Sequence, residues 1–445
     1  MRTRAFVWLL VCGWMAGWPD RAAAAPRQGR QDLVHPQPPT SAPPLSLTDA
    51  LREAVEKNPE LAALRQDVTV ARQRPRQERF LAPPMAEAQV WQWPVNTLNP
   101  TNVGMYMFMV SQELPGRGKR DLRAAVAEKD VALAENDVAL RIRDLASEIR
   151  QAYTSLFIAR RAIDVHQASV ELLRQMTDVA QDKYSTGRIS QQDVLRPTLE
   201  LSRLHGDIIT FNEQASNASA RLNTLMDRPP EAPIGPLLEP REQQLLSDTA
   251  TLQRLAIERQ PELTRSGVEI ERAEAQLAVE KHELKPDFVV QGGYMLTPRM
   301  TDAWMGRIGI TWPKAPWSRG RTDARVAERT AAVDAAKGRT RALENRVRLA
   351  VHDAYVRAKS AEDRAALLRT TILPQARQTL DVSRVAYQSD RLDFQALLDN
   401  ERVLLDSELE YFRAVADFQQ AISDLERAIG TELPPSAVTA IAEVK

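Results

Sequence analysis

Three groups of side chains in this sequence could do chemistry, and none is spaced to do it unaided. Met105, Met107 and Met109 alternate along one segment, so their thioethers fall on one face of a strand. Such stripes can carry soft metal ions. Tyr106, Phe108 and Val110 on the other face are also apolar, so packing against lipid or a second copy is the expected role. Asp144 and Glu148 share a helix face, which suits a solvated pair better than an acid–base dyad. His35, His166, His205, His282 and His352 show no metal-ligand spacing. The one cysteine, Cys12, lies in the first residues. There is no nucleophile elbow, phosphate loop or paired-cysteine motif, so neither an enzyme nor a cofactor is expected.

The elements that carry these residues come in two copies. Ala54-Val55-Glu56-Lys57-Asn58-Pro59-Glu60-Leu61 returns as Ala256-Ile257-Glu258-Arg259-Gln260-Pro261-Glu262-Leu263. Gly118 faces Gly320, Tyr153 faces Tyr355, Tyr184 faces Tyr387 and Leu222 faces Leu425, at an offset of 202 or 203 throughout. A duplication this long means two copies of one structural unit.

Each copy reads as a helix, a β-hairpin and two long helices joined by a tight turn. The first repeat spans 46–228, with a hairpin at about 86–112 and long helices at about 119–227. The second spans 249–430, with a hairpin at about 287–313 and long helices at about 322–429. The opening helices are expected over about Ser46–Arg79 and Thr249–Leu284. A proline-rich linker, 229–248, joins the repeats, and 431–445 is a tail. Asp121 to Thr186 contains no Gly or Pro, and one helix of that length is about 100 Å long. Val138, Leu145 and Ala152 step by seven, as do Leu397, Leu404, Tyr411, Phe418 and Leu425. These are coiled-coil seams. Pro374 should kink or break its helix, and Pro197 is placed to do the same.

Residues 1–24 read as an export signal: Arg2 and Arg4, a short apolar stretch, then Ala22-Ala23-Ala24. Residues 25–45 read as a disordered proline-rich tether. Cleavage after Ala24 would leave no cysteine; lipid attachment at Cys12 competes, although Val11 is larger than the residue such attachment favours. Basic and acidic residues balance at 59 each, so no nucleic-acid partner is indicated.

Of eight tryptophans, three lie in the signal. The other five, Trp91, Trp93, Trp304, Trp312 and Trp317, all lie in or beside the hairpins. Trp304 to Trp312 alternates apolar with polar or small residues and carries a tryptophan at each end. Trp91, Trp93, Trp304 and Trp312 are therefore expected at a membrane interface, as in a β-barrel girdle. Four strands cannot close a barrel in lipid, so several chains must share one; three would give twelve strands and a passage.

The chain resembles the TolC-like outer-membrane efflux factors. The resemblance rests on the paired Asn-Pro-Glu-Leu and Gln-Pro-Glu-Leu segments and on Ser111-Gln112-Glu113-Leu114-Pro115-Gly116-Arg117-Gly118-Lys119-Arg120. It rests also on the turns Tyr184-Ser185-Thr186-Gly187-Arg188-Ile189 and Tyr387-Gln388-Ser389-Asp390-Arg391-Leu392. It implies a mainly α fold with a membrane β part: a homotrimer with one 12-stranded barrel, four strands per chain, continuous with an α-helical coiled-coil tunnel. It implies an outer-membrane location with the tunnel in the periplasm. The partners it implies are outer-membrane lipid, a periplasmic adaptor (membrane fusion protein) and an inner-membrane pump of the resistance-nodulation-division type. The chain would be a passive efflux conduit, and the Ser111–Arg120 segment looks most like the cation-efflux branch. By the same resemblance Asp193, Tyr387 and Arg391 form a closing latch, and Asp399 forms an acidic ring; the second acidic position is Ala396 here. Gly187, Arg188, Ile189, Asp390 and Leu392 would be the adaptor-docking tips. The competing function is a periplasmic coiled-coil adaptor or structural protein without a pore.

Overall fold

A computed structural model describes residues 43–97, 99–239, 243–298, 300–389, 391–433 and 438–440. The export signal, most of the tether and Asp390 lie outside them.

The first repeat opens with α1 (Leu47–Lys57), α2 (Pro59–Ala71) and α3 (Arg74–Arg79), where one helix was expected. Proline is the cause. The residue before a proline is pushed out of helical geometry, and Asn58 sits at ψ 121°. Its side chain then caps the new helix, accepting from the Glu60 and Leu61 N–H groups at 3.0 and 3.2 Å. Next come β1 (Met85–Trp91), β2 (Met105–Leu114), α4 (Lys119–Ser185) and α5 (Gln191–Leu225). The single helix expected across the Gly- and Pro-free stretch is α4, at 67 residues. Pro197 lies inside α5 without ending it.

A linker strand, β3 (Gln243–Leu245), leads to the second repeat. There α6 (Thr249–Arg259) and α7 (Pro261–His282) are again divided before a proline, at Gln260 with ψ 118°. β4 (Phe288–Leu296) and β5 (Ala303–Ile310) follow, then α8 (Arg319–Leu367). A π-helical turn at Leu368–Ile372 connects α8 to α9 (Leu373–Gln388), and α10 (Phe394–Ile429) completes the repeat. The π turn explains the change of offset. Tyr153 and Tyr355 are 202 apart, Tyr184 and Tyr387 are 203 apart, so one residue was inserted between them. A π turn absorbs one extra residue without breaking a helix. Pro374 follows it, so the helix neither ends nor unwinds there.

The four strands form one antiparallel sheet in the order β1-β2-β4-β5. The two hairpins join where Met107 pairs with Met295 and Ser111 with Gln291. A short strand, β6 (Val438–Ala440), pairs with β3, and Leu45 bridges Leu237 in parallel. The linker is thus tied to the first and last described segments, with no periodicity in the sequence to suggest it.

The cores repeat as the sequence does. Ala54, Leu61, Ile149, Ala152 and Leu222 form one buried cluster; Ala256, Val351, Ala354, Leu425 and Ile429 form another. Each fully buried Leu or Ile contributes about 1.5–3 kcal/mol. The side-chain amides before the two prolines also match. Asn58 Nδ2 donates to the Leu225 carbonyl at 3.2 Å, and Gln260 Nε2 to that of Ala428 at 3.1 Å. Where the last helices end, Asp227 and Gly430 both take positive φ, 58° and 84°. A third cluster, including Leu173, Leu204, Leu380, Tyr387 and Leu397, packs both repeats together near the two helix turns.

Candidate functional site

Two places carry unusual polar chemistry: the helix turns far from the sheet, and the sheet with its junction to the helices.

At the first turn Gly187 has φ +72°, the left-handed geometry expected of it. The Gly187 N–H donates to the Tyr184 carbonyl and the Arg188 N–H to that of Lys183, both at 2.9 Å. This is a Schellman closure. The second turn repeats it, with the Arg391 N–H donating to the Ala386 carbonyl at 2.9 Å. The starts of the following helices differ. In α5, Asp193 Oδ2 accepts from the Ser190 N–H at 3.1 Å and from its hydroxyl at 2.8 Å, completing a capping box. In α10, Asp393 caps alone, accepting from the Ala396 N–H at 2.8 Å. The acid at 193 and the alanine at 396 therefore follow from where each helix keeps its capping carboxylate.

Tyr387 is buried, 3% exposed. Its ring meets Phe394 edge-on at 5.5 Å, and the Lys183 ammonium lies 4.2 Å from its centroid. Lys183 also donates to the Tyr387 carbonyl. Asp193, by contrast, is held by its own helix start. Ile189 and Leu392 pack onto the cluster around Tyr387, while Gly187, Arg188 and Arg391 are exposed. Asp390 lies outside the described residues.

Asp399 belongs to a polar ladder between α5 and α10. Arg196 donates to Gln395 at 2.7 Å, Gln395 to Asp399 at 2.9 Å, and Arg402 lies 3.9 Å from Asp399. Arg402 in turn grips Glu200 through two nitrogens. Asp399 is thus exposed but partly neutralised. Two residues along lies Glu401, only 2% exposed. Burial pushes its pKa above the ordinary carboxylate value, and the nearby Glu200 and Asp406 charges push the same way, against Ser169 and Arg402. The signal for Glu401 was present in the sequence: it falls on the apolar stripe of Leu397, Leu398 and Leu405.

The sheet has two chemically distinct faces. Cross-strand partners share a face, so register assigns them. One face carries Phe108, Val110, Val290, Ile308, Ile310 and Trp304, all exposed. The other carries Glu87, Gln89, Ser111, Gln291, Arg307 and the methionines. The methionine stripe therefore lies opposite the apolar surface, not within it. Trp304 lies in β5 and Trp312 two residues past its end, eight residues along with the same parity, about 26 Å if the chain stays extended. Trp312 contacts Trp317 at 6.1 Å. Trp91 pairs with Met105 and so occupies the polar face, opposite to Trp304. Trp93 donates to the Thr97 carbonyl at 2.9 Å in the β1–β2 connection.

Where sheet meets helix, Lys119 is 1% exposed and bridges Glu283 and Asp287, each at 2.9 Å. Arg123 reaches Glu283 at 2.8 Å, and the Gly116 N–H donates to Asp287 at 2.6 Å. Burial opposes the charged forms of both acids, yet the bonds from Lys119, joined by Arg123 at Glu283 and by Gly116 at Asp287, outweigh it. Both pKa values fall below their ordinary range. Gly116 is there because a Cβ would stand 2.6 Å from the Pro286 carbonyl. No helix among the described residues is long and apolar enough to cross a membrane, which says nothing of strands. No group of three His, Cys, Asp or Glu among them could hold a metal.

The chain is a duplicated helix–hairpin unit with a four-stranded sheet at one end of long paired helices, and known proteins share this architecture. Residues 50–227 match the family described as Outer membrane efflux protein. The chain is 22% identical over 383 residues to the cobalt-zinc-cadmium resistance protein CzcC of Cupriavidus metallidurans, covering 82% of this chain and 85% of that one. The fold matches the outer-membrane channel OprN with a TM-score of 0.71 at 19% identity, over 86% of this chain and 89% of that one. It matches CusC with a TM-score of 0.74 at 15% identity, over 86% and 92%. The family match covers residues 50–227, and over most of its length the chain shares the fold of these outer-membrane channels.

Proposed function

We propose that three copies of this chain close one twelve-stranded barrel in the outer membrane and extend it as a helical tunnel through the periplasm. The observation that carries this is the four-stranded sheet, which pairs β1 only with β2 and β5 only with β4 among the described residues. Both outer edges would leave backbone groups unpaired in lipid, at several kcal/mol each. Two chains would supply eight strands, which side chains fill; three supply twelve, which leave a passage. Cyclic symmetry then sets the helices in a ring.

The chain is then a passive conduit served by a periplasmic adaptor and an inner-membrane pump of the resistance-nodulation-division type. Likeness to a cobalt-zinc-cadmium resistance protein favours metal-cation export. Asp193, Tyr387 and Arg391 form the latch of the tip, Asp399 its acidic ring, and Gly187, Arg188, Ile189, Asp390 and Leu392 the adaptor-docking turns. Here Asp193 bonds Ser190 instead, so forming the closed latch would draw Asp193 from Ser190 towards Tyr387, and opening would reverse that. Trp304 and Trp312 mark the two membrane interfaces. Membrane fractionation followed by an unheated gel tests the assembly: a heat-dissociable trimer in the outer membrane is expected, and a soluble monomer would reject it.

A further inference from the structure

We propose that the lumen face of the sheet holds a thioether site for a soft monovalent cation, Cu(I) or Ag(I). The proposal rests on the barrel assigned above, because only closure turns the polar face into a lumen. Met109, Gly293 and Met305 lie in one cross-strand row, and Met107 faces Met295 in the next. Met105 continues the stripe on the same face. Five thioethers from three strands are thus gathered on the side that also carries Glu87, Gln89 and Gln291.

Gly293 is what lets them converge. A Cβ there would stand 2.9 Å from Met109 Cγ and 2.6 Å from the Phe108 carbonyl. The Met109 side chain leans over the space a larger residue would fill, towards Met305 on the far strand. Gln291 Nε2 contacts the Met109 sulfur at 3.4 Å and helps fix its position. Directly opposed residues such as Met107 and Met295 have Cβ atoms about 4.5–5.5 Å apart, close enough for two flexible thioether arms to meet one ion. Elsewhere this face is mixed, with Glu87, Gln89, Ser111, Gln291 and Arg307 beside Trp91 and Val289, so it is not one continuous packing surface. Thioether sulfur is a neutral, soft donor that selects Cu(I)-like ions over hard ones. Arg307 lies two residues beyond Met305 on this face and disfavours sites built on charge, which leaves sulfur donation as the basis for binding.

Ag(I) is the probe, added as nitrate to the full-length protein in chloride-free buffer, with Na(I) as the hard control. Two readouts are used: single-channel current, and the methyl resonances of 13C-methyl-methionine protein. Micromolar Ag(I) should interrupt wild-type current. It should also shift the Met105, Met107, Met109, Met295 and Met305 methyls while leaving the buried Met176 and Met226 unmoved. Replacing the five by Leu should weaken the interruption at least tenfold, and Met305→Leu alone should weaken it less. Equal Ag(I) sensitivity in wild type and five-fold variant, or methyl shifts shared with Met176 and Met226, overturns the site. A wild-type protein that inserts no channel overturns the barrel reading instead, and the methyl shifts still decide the binding of Ag(I).

Discussion

The two repeats build the same unit, yet they differ at three places that matter. At the sheet junction the first repeat buries Lys119 between two acids from the second, while its counterpart Arg321 is exposed. Along the long helix the first repeat runs unbroken and the second carries a π turn. At the tip the first repeat caps α5 with Ser190 and Asp193 together, the second caps α10 with Asp393 alone. Duplication preserved the cores and let the ends diverge. An end that meets the other repeat within the chain can be fixed by an ion pair. An end that meets a neighbouring copy, as Arg321 would in a trimer, is left exposed in a single chain.

The largest expected effect tests that junction. Lys119→Met strands two partly buried carboxylates, and removing one partner of such a cluster costs about 3–5 kcal/mol; partial hydration of Glu283 and Asp287 puts this case at the lower end. Arg321→Ala should change the temperature of loss of the assembled form little, and an equal loss would erase the contrast. Because Glu283 and Asp287 have lowered pKa values in the fold, their contribution is present above the ordinary carboxylate range. It is lost as pH falls through those lowered values. Lys119→Met should flatten this acid limb in a stability titration.

The helix contrast comes next. Glu171→Pro places a proline in α4 at the position equivalent to Pro374, but with no π turn ahead of it. It should cost about 3 kcal/mol, read as a lower melting temperature. Conversely, deleting Thr370 together with Pro374→Ala should yield a regular helix and a folded protein. Failure of that double change to fold would contradict the one-residue insertion.

Smaller again is the tip. Asp193→Ala and Asp393→Ala should each lose a cap, about 1 kcal/mol, by hydrogen exchange in the first turn of α5 or α10. If Asp193 is also a latch, Asp193→Ala with Tyr387→Phe raises single-channel conductance, whereas Asp393→Ala does not. The smallest effect belongs to Glu401. Its pKa is raised by burial, so its contribution is full below the ordinary carboxylate pKa and is lost as pH rises through the raised value. Glu401→Gln should remove that decline; an unchanged pH profile would show the carboxyl to be hydrated.

Much of the fold was legible because its signals are long. A duplication of about two hundred residues, a helix free of Gly and Pro, and tryptophans confined to two hairpins survive local noise. What escaped depended on single residues or on partners distant in sequence. The breaks at Asn58 and Gln260 needed the steric effect of the following proline. The strands β3 and β6 are three residues each, too short for any period. The methionine face could not be assigned while both sides of β2 were apolar; only Glu87, Gln89, Gln291 and Arg307 across the register decide it. Lys119 lay within the Gly118-Lys119-Arg120 segment that carried the resemblance, but its burial depends on acids more than 160 residues away.

Closure of the sheet between copies is the central claim, and edge cross-linking tests it most directly. Cysteines replacing Ala88 in β1 and Ile308 in β5, with neighbouring positions scanned for register, lie on opposite edges of one chain's sheet and can bridge only between chains. Oxidation in the membrane should give dimer and then a covalent trimer that goes no further. Monomer alone at every register, or a ladder running past three copies, would contradict a closed three-chain barrel.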